Sequence, residues 1–292
     1  MSVYSVLPTP FSASGDVDAD SLRRVIDLFL ADGVSGFTAL GVTSEVARLT
    51  DAERDQVLDV VLGHVNGRVP VVAGTTAEGL RTCIDYSRRA KQAGAAAVMI
   101  SPPRMPKINS DAVARHYAEV AAAVDIEIIV QDYPPISGYA MEASLLARIA
   151  KDVPRARTIK LEDPPTPFKT SRIIERAEGI AVKIFGGLGG VFLLEELMAG
   201  GAGAMTGFAF PKILVQIVTL FQAGRVDEAA DVFYRKVPLM RFEFQEGIGM
   251  AIRKEVLRRR GAIASAAIRP PGGTLDATTL AALDRVMAYA QV

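Results

Sequence analysis

Short apolar runs recur along the chain at 5–7, 36–40, 69–73, 97–101, 127–131, 157–160, 181–185 and 203–205. Amphipathic stretches separate them at 20–31, 51–64, 79–93, 111–123, 142–150 and 190–199. The runs are too short to be buried helices, and polar or Gly- and Pro-containing segments bound them, so they predict strands. The stretches between them repeat apolar residues every three to four positions and predict helices with one buried face. Strands alternating with helices imply parallel β-α units, and roughly eight such units in about 200 to 250 residues predict an α/β fold, a closed (β/α)8 TIM barrel. No Gly-x-Gly-x-x-Gly opens a helix after the first strand, which argues against a dinucleotide-binding open sheet. Beyond Pro211 the pattern changes to helical segments 212–223, 226–241, 249–260 and 276–290 with no strand between them. The expected organisation is a barrel over 1–210 and a helical domain over 211–292 on its flank.

Charge narrows the partners. The 292 residues carry 33 basic and 33 acidic side chains, so no net field favours nucleic acid or an anionic membrane surface. A small molecule or a second copy of the chain is the expected partner. Half of the residues are hydrophobic and they are dispersed, ample for a large core, while no stretch nears the roughly 20 apolar residues of a membrane span. The start Met1-Ser2-Val3-Tyr4-Ser5-Val6 lacks the pattern of a signal segment, and Cys83 is the sole cysteine, so a reducing cytoplasm is the expected setting.

In barrels of this kind the chemistry lies where strands run into loops. Lys160 ends one apolar run, just before the acidic and Pro-rich Leu161-Glu162-Asp163-Pro164-Pro165. An amine sheltered by apolar neighbours loses its proton more readily and becomes a nucleophile, which points to carbonyl chemistry through a Schiff base. Lys183 competes, because it lies within the next apolar run; Lys160 is nearer its loop. Gly41-Val42-Thr43-Ser44-Glu45 follows the second run, and its amides and hydroxyls suit a carboxylate, although an ordinary capped turn would look the same. Gln131-Asp132-Tyr133-Pro134-Pro135 follows the fifth run, and Gly186-Gly187-Leu188-Gly189-Gly190 the seventh, where the backbone has freedom to approach a ligand. His64 and His116 are the only histidines, too few for a serine-type triad or a His-rich zinc site. No metal or other cofactor is expected, but Glu45, Asp132, Glu162 and Asp163 all fall near strand ends, where oxygen ligands for magnesium or plain rim ion pairs are both open.

Several segments together carry a resemblance. Leu7-Pro8-Thr9-Pro10-Phe11, the Gly41-to-Glu45 turn with Leu49-Thr50-Asp51-Ala52-Glu53-Arg54, the Ile159-Lys160 strand end and the glycine-rich 200–207 segment resemble the dihydrodipicolinate synthase and N-acetylneuraminate lyase family. The likeness spans essentially the whole chain in order. It implies a barrel with a C-terminal helical domain, a homo-oligomer (usually a tetramer) and an imine between one lysine and a 2-keto acid. Carried over by position, it puts the imine on Lys160, the keto acid's carboxylate at Thr43 and its turn with Ser44, and a backbone carbonyl contact at Met205.

The departures bear on the reaction. Dihydrodipicolinate synthases have a second threonine, two tyrosines and an arginine where this chain has Val42, Gln131, Arg104 and Ile136. Valine and glutamine cannot relay a proton as hydroxyls do. Tyr133 lies two residues beyond Gln131, and so on the same face if the strand continues. Val130-Gln131-Asp132 with Pro134 and Gly138, and Lys160-Leu161-Glu162 with Pro164, resemble the branch that includes 2-keto-3-deoxy-L-arabinonate dehydratases. There the implied route is dehydration of a 2-keto-3-deoxy sugar acid through the imine; retro-aldol cleavage would use the same imine. Lys160 and Gln131 are the expected catalytic residues, with Thr43, Ser44, Met205 and Gly187 binding substrate. 4-Hydroxy-tetrahydrodipicolinate synthesis, a metal-dependent barrel lyase and a barrel retained only for binding are the alternatives.

Overall fold

A computed structural model describes residues 1–292. Eight parallel strands, β1 (Ser2–Val6), β2 (Gly36–Ala39), β3 (Val71–Gly74), β4 (Ala97–Ile100), β5 (Glu127–Asp132), β6 (Thr158–Leu161), β7 (Lys183–Gly186) and β8 (Gly203–Thr206), close into one ring in chain order. This is the (β/α)8 barrel that the alternation predicts. Closure is made by β1 on β8, in the register Ser2 to Gly203 and Tyr4 to Met205.

Side-chain alternation divides the barrel into an inside and an outside. Val6, Val72, Ala97, Met99, Ile129, Phe185 and Met205, drawn from six strands, form one interior cluster. Tyr4 joins it edge-on to Phe185, ring centroids 5.6 Å apart. The intervening residues, such as Val98, Ile100, Ile128, Val130, Ile159 and Leu161, face outward into the main core shared with the helices. Each fully buried Val, Leu, Ile or Phe adds roughly 1.5–3 kcal/mol, which is why the register of every strand is firmly set.

The helix starts follow local chemistry. Asp18 accepts from the Ser21 amide at 2.9 Å and opens helix Ala19–Ala31. Thr50 and Glu53 form a reciprocal capping box for helix Asp51–Val65. Two segments differ from the hydrophobic pattern. Helix Thr166–Arg176 fills the gap between β6 and β7, where the pattern shows none, because its buried face is only Thr166, Thr170 and Ile173. The stretch 190–199 is helical only over Leu193–Met198, since Gly189 and Gly190 have φ of 68° and 80° and break the first turn.

Helix Pro211–Gln222 packs through Ile213, Leu214 and Ile217 on Val3 of β1 and Ala204 of β8. Helices Val226–Glu243, Gly249–Arg259 and Ala277–Ala290 follow. Ile252, Val256 and Leu257 of the second of these belong to the main barrel core, so this helix is seated beside the mouth of the ring. No helix is long and apolar enough to cross a membrane.

Candidate active site

The C-terminal ends of the strands open into a cavity of about 500 Å³. On β6, Ile159 and Leu161 face outward, so Lys160 points inward, and Glu162, two residues on, shares its side. The Glu162 amide donates to Asp132 O at 2.9 Å, which carries the ladder one step beyond the strand and keeps that parity. Both side chains line the cavity, with Lys160 only 4% exposed and Glu162 9%. Lys183 has the same inward parity as Phe185, yet it is exposed at the opposite, N-terminal end of its strand. Depth in the barrel therefore separates the two lysines, and Lys160 is the one within the cavity.

Four polar side chains are linked here; Lys160 and Glu162 line the cavity, and Gln131 and Ser101 lie behind them. Nζ of Lys160 lies 3.1 Å from Oε2 of Glu162. Gln131, inward on β5 two residues after Ile129, donates from Nε2 to the same oxygen at 2.7 Å. Ser101 Oγ, at the end of β4, donates to Oε1 of Gln131 at 3.0 Å and fixes the orientation of the amide. Gly187 supports this arrangement from behind: a Cβ there would overlap Cγ of Glu162. Gly187 itself does not line the cavity, so its contribution is space for a carboxylate rather than direct approach to a ligand.

The turn after β2 is built of two short 3-10 segments, Val42–Ser44 and Val46–Arg48, joined by Glu45 at φ 56°. Thr43 lines the cavity, and its Oγ1 is buried with no protein partner. Ser44 faces away. Its Oγ donates to Leu7 O at 2.5 Å and accepts from the Gly41 amide at 3.1 Å, so the hydroxyl holds the turn and is not presented to the cavity. Met205 likewise belongs to the interior plug below the cavity. Among the residues expected to bind substrate, the fold thus brings Thr43 to the cavity wall and sets Ser44, Met205 and Gly187 behind it.

The rim carboxylates are each held by a cation. Glu45 meets Lys254 at 2.5 Å and Arg48 at 2.9 Å, tying the Thr43 turn to helix Gly249–Arg259. Asp132 and Asp163 share Lys169 at 2.5 and 2.7 Å. Burial pushes the Asp132 carboxyl up to about 6 despite that lysine. No three His, Cys, Asp or Glu side chains gather in a way that could hold a metal ion, so the magnesium alternative has no ligand set in these carboxylates.

Two further residues of the cavity lining are Tyr133, which shares the parity of Gln131, and Arg253. Tyr133 does reach the cavity, and burial, followed by the charges of Glu162 and Glu246, raises its phenol above the ordinary value. It is therefore a proton-bearing hydroxyl at neutral pH. Arg253 comes from the C-terminal helices, 4% exposed, with Nε donating to Oε1 of Glu243 at 2.7 Å. Ser101, which supports Gln131 without lining the cavity, is the polar end of the fourth apolar run. Arg253 carries no local signal, because its place depends on a contact between distant parts of the chain.

A buried amine, an adjoining carboxylate and an amide that orients it can form an imine and move a proton on a neighbouring carbon. The model of the dihydrodipicolinate synthetase family matches residues 1–290. An L-2-keto-3-deoxyarabonate dehydratase of Azospirillum brasilense is 35% identical over 288 residues, covering 96% of this chain and 91% of that protein. A 4-hydroxy-tetrahydrodipicolinate synthase of Methanococcus maripaludis is 29% identical, covering 84% of this chain and 83% of that one. The crystal structure of a dihydrodipicolinate synthase from Rhodopseudomonas palustris superposes with a TM-score of 0.93 at 32% identity, over 99% of this chain and 97% of that one. With its ring of eight strands and its whole length accounted for, the chain is a lyase belonging to the dihydrodipicolinate synthetase family.

Proposed function

We propose that the chain dehydrates a 2-keto-3-deoxy sugar acid through an imine on Lys160. The observation that carries this reading is the placement of Glu162 Oε2 within 3.1 Å of Lys160 Nζ and 2.7 Å of Gln131 Nε2. The Lys160 amine adds to the C2 carbonyl, and its oxygen leaves as water. The resulting iminium acidifies C3, Glu162 takes one C3 proton, and the electron pair forms an enamine. The enamine expels the C4 hydroxyl, which leaves as water with the proton that Glu162 had gained. In a five-carbon acid, loss of a C5 proton gives an enol that becomes the aldehyde. Hydrolysis then frees Lys160 and releases a 2-keto semialdehyde, with a net loss of one water.

Gln131, held by Ser101, orients Glu162 toward the C3–C4 region. Thr43 and its turn receive the carboxylate, while Gly187 leaves room for the base and Met205 and Ser44 support the site from behind. Sequence similarity to the Azospirillum brasilense L-2-keto-3-deoxyarabonate dehydratase supports this substrate class. Tetrahydrodipicolinate synthesis is less well served, because Val42 and Gln131 stand where that reaction uses hydroxyls. The same reading includes a homo-oligomer, to be checked by sedimentation.

The test is a product assay on a panel of 2-keto-3-deoxy acids. Semialdehyde release supports dehydration, whereas pyruvate release would replace it with retro-aldol cleavage. Incubation with pyruvate and borohydride should add mass at Lys160 alone, and Lys160→Ala should abolish both adduct and turnover. A wild-type lysine left unmodified defeats the imine.

A further inference from the structure

Two polar atoms in the cavity wall have no protein partner: Oγ1 of Thr43 and Nη1 of Arg253, both buried. They come from opposite ends of the chain, one from the turn after β2 and the other from helix Gly249–Arg259. Gly207, just past β8, lies between them. A Cβ there would overlap Nη1 of Arg253 and sit 2.9 Å from Oγ1 of Thr43. The missing side chain is therefore what lets the guanidinium lie against Gly207, with its unpartnered Nη1 near Oγ1 of Thr43 and both residues lining the cavity.

The guanidinium is held in that position. Its Nε is fixed on Glu243 at 2.7 Å, and Glu243 is fixed in turn by the Ala209 amide at 3.0 and 3.1 Å. A buried donor without an acceptor is costly, more so when it carries charge, and a planar guanidinium is suited to binding a carboxylate through the edge it has left. Of the groups on a 2-keto-3-deoxy sugar acid, only the C1 carboxylate is anionic. We propose that Arg253, set in place by Glu243 and by the bare backbone of Gly207, is a substrate-binding residue that grips this carboxylate together with Thr43. This rests on the keto-acid reading above and extends it to a residue of the C-terminal helices. An arginine with a purely structural part would affect folding alone and would not distinguish a charged ligand from a neutral one.

Pyruvate and its uncharged amide, pyruvamide, provide the probes. Binding is measured by calorimetry on the Lys160→Ala protein, where no imine can form, with and without Arg253→Met. The expected result is a roughly ten- to hundredfold weaker Kd for pyruvate with Arg253→Met, the range that a charge-assisted hydrogen bond commands, with little change for pyruvamide. Arg253→Lys should recover part of the loss, and Gly207→Ala should reproduce it by displacing the guanidinium. An unchanged preference for pyruvate in folded Arg253→Met protein overturns the proposal. So does the absence of any preference for pyruvate over pyruvamide in the Lys160→Ala protein. If Arg253→Met does not fold, Arg253→Lys and Gly207→Ala decide in the same way. Failure of the imine reading shows elsewhere, as wild-type protein that borohydride leaves unlabelled while pyruvate binding still depends on Arg253.

Discussion

Lys160 and Glu162 lie on one side of the same strand line with Nζ and Oε2 3.1 Å apart, so the nucleophile and the proposed base are held together by backbone parity. Replacing the base while keeping its shape separates their functions. Glu162→Gln should lower kcat by roughly two to four orders of magnitude, the usual contribution of a positioned proton acceptor, while pyruvate can still be trapped on Lys160 with borohydride. Steady-state kinetics and mass spectrometry on the same preparation check both halves. Unimpaired turnover would remove Glu162 from the chemistry.

Gly187 tests the same carboxylate from the other side. A Cβ at this position collides with Glu162 Cγ. Gly187→Ala should therefore displace Glu162 and depress kcat, at a stability cost of about 1–3 kcal/mol for overpacking. Chemical denaturation alongside kinetics distinguishes a displaced base from a collapsed fold.

Ser44 is expected to act on stability. Its hydroxyl joins Leu7 O and the Gly41 amide, and Ser44→Ala leaves both buried backbone groups without that partner. A loss of about 1–3 kcal/mol in urea titration is the expected outcome. Full stability in the variant would show that the turn does not depend on this link.

Glu196 gives the protein a pH-sensitive interior. Burial raises its carboxyl from the ordinary 4.5 to about 7, against the Thr166 hydroxyl that donates to it at 2.5 Å. The folded state holds this proton more tightly than the unfolded chain. Its contribution is therefore greatest below pH 4.5, falls as pH rises, and is lost above about 7. That difference amounts to roughly 3 kcal/mol. Glu196→Gln, which cannot ionise, should flatten the decline, so the variant's melting temperature should gain on the wild type between pH 5 and pH 8. Parallel curves would show that the carboxyl does not titrate in this range.

Much of this arrangement can be read from alternation alone. Once Ile159 and Leu161 are outward, Lys160 and Glu162 must be inward, and Ile129 places Gln131 in the same way. Alternation says nothing of height, which is why Lys183, with the right parity, lies at the wrong end. It also cannot tell whether a polar side chain facing a turn is already satisfied, as Ser44 is by Leu7 O. Thr166–Arg176 escapes a hydrophobic pattern because its inner face is largely threonine. Arg253 escapes for a different reason: its neighbours Thr43 and Gly207 are remote in sequence, and only the closed ring brings them to it.

Ring closure also orders events in time. β1 has β2 on one side, but its other edge waits for β8, whose backbone at Gly203 approaches Ser2 so closely that any side chain there would strike the Ser2 carbonyl. During synthesis that edge stays unpaired until some two hundred residues have followed it out of the ribosome, and open edges invite pairing with other chains. A chain cut short before β8 would keep that edge open, with neither a closed cavity nor a finished wall.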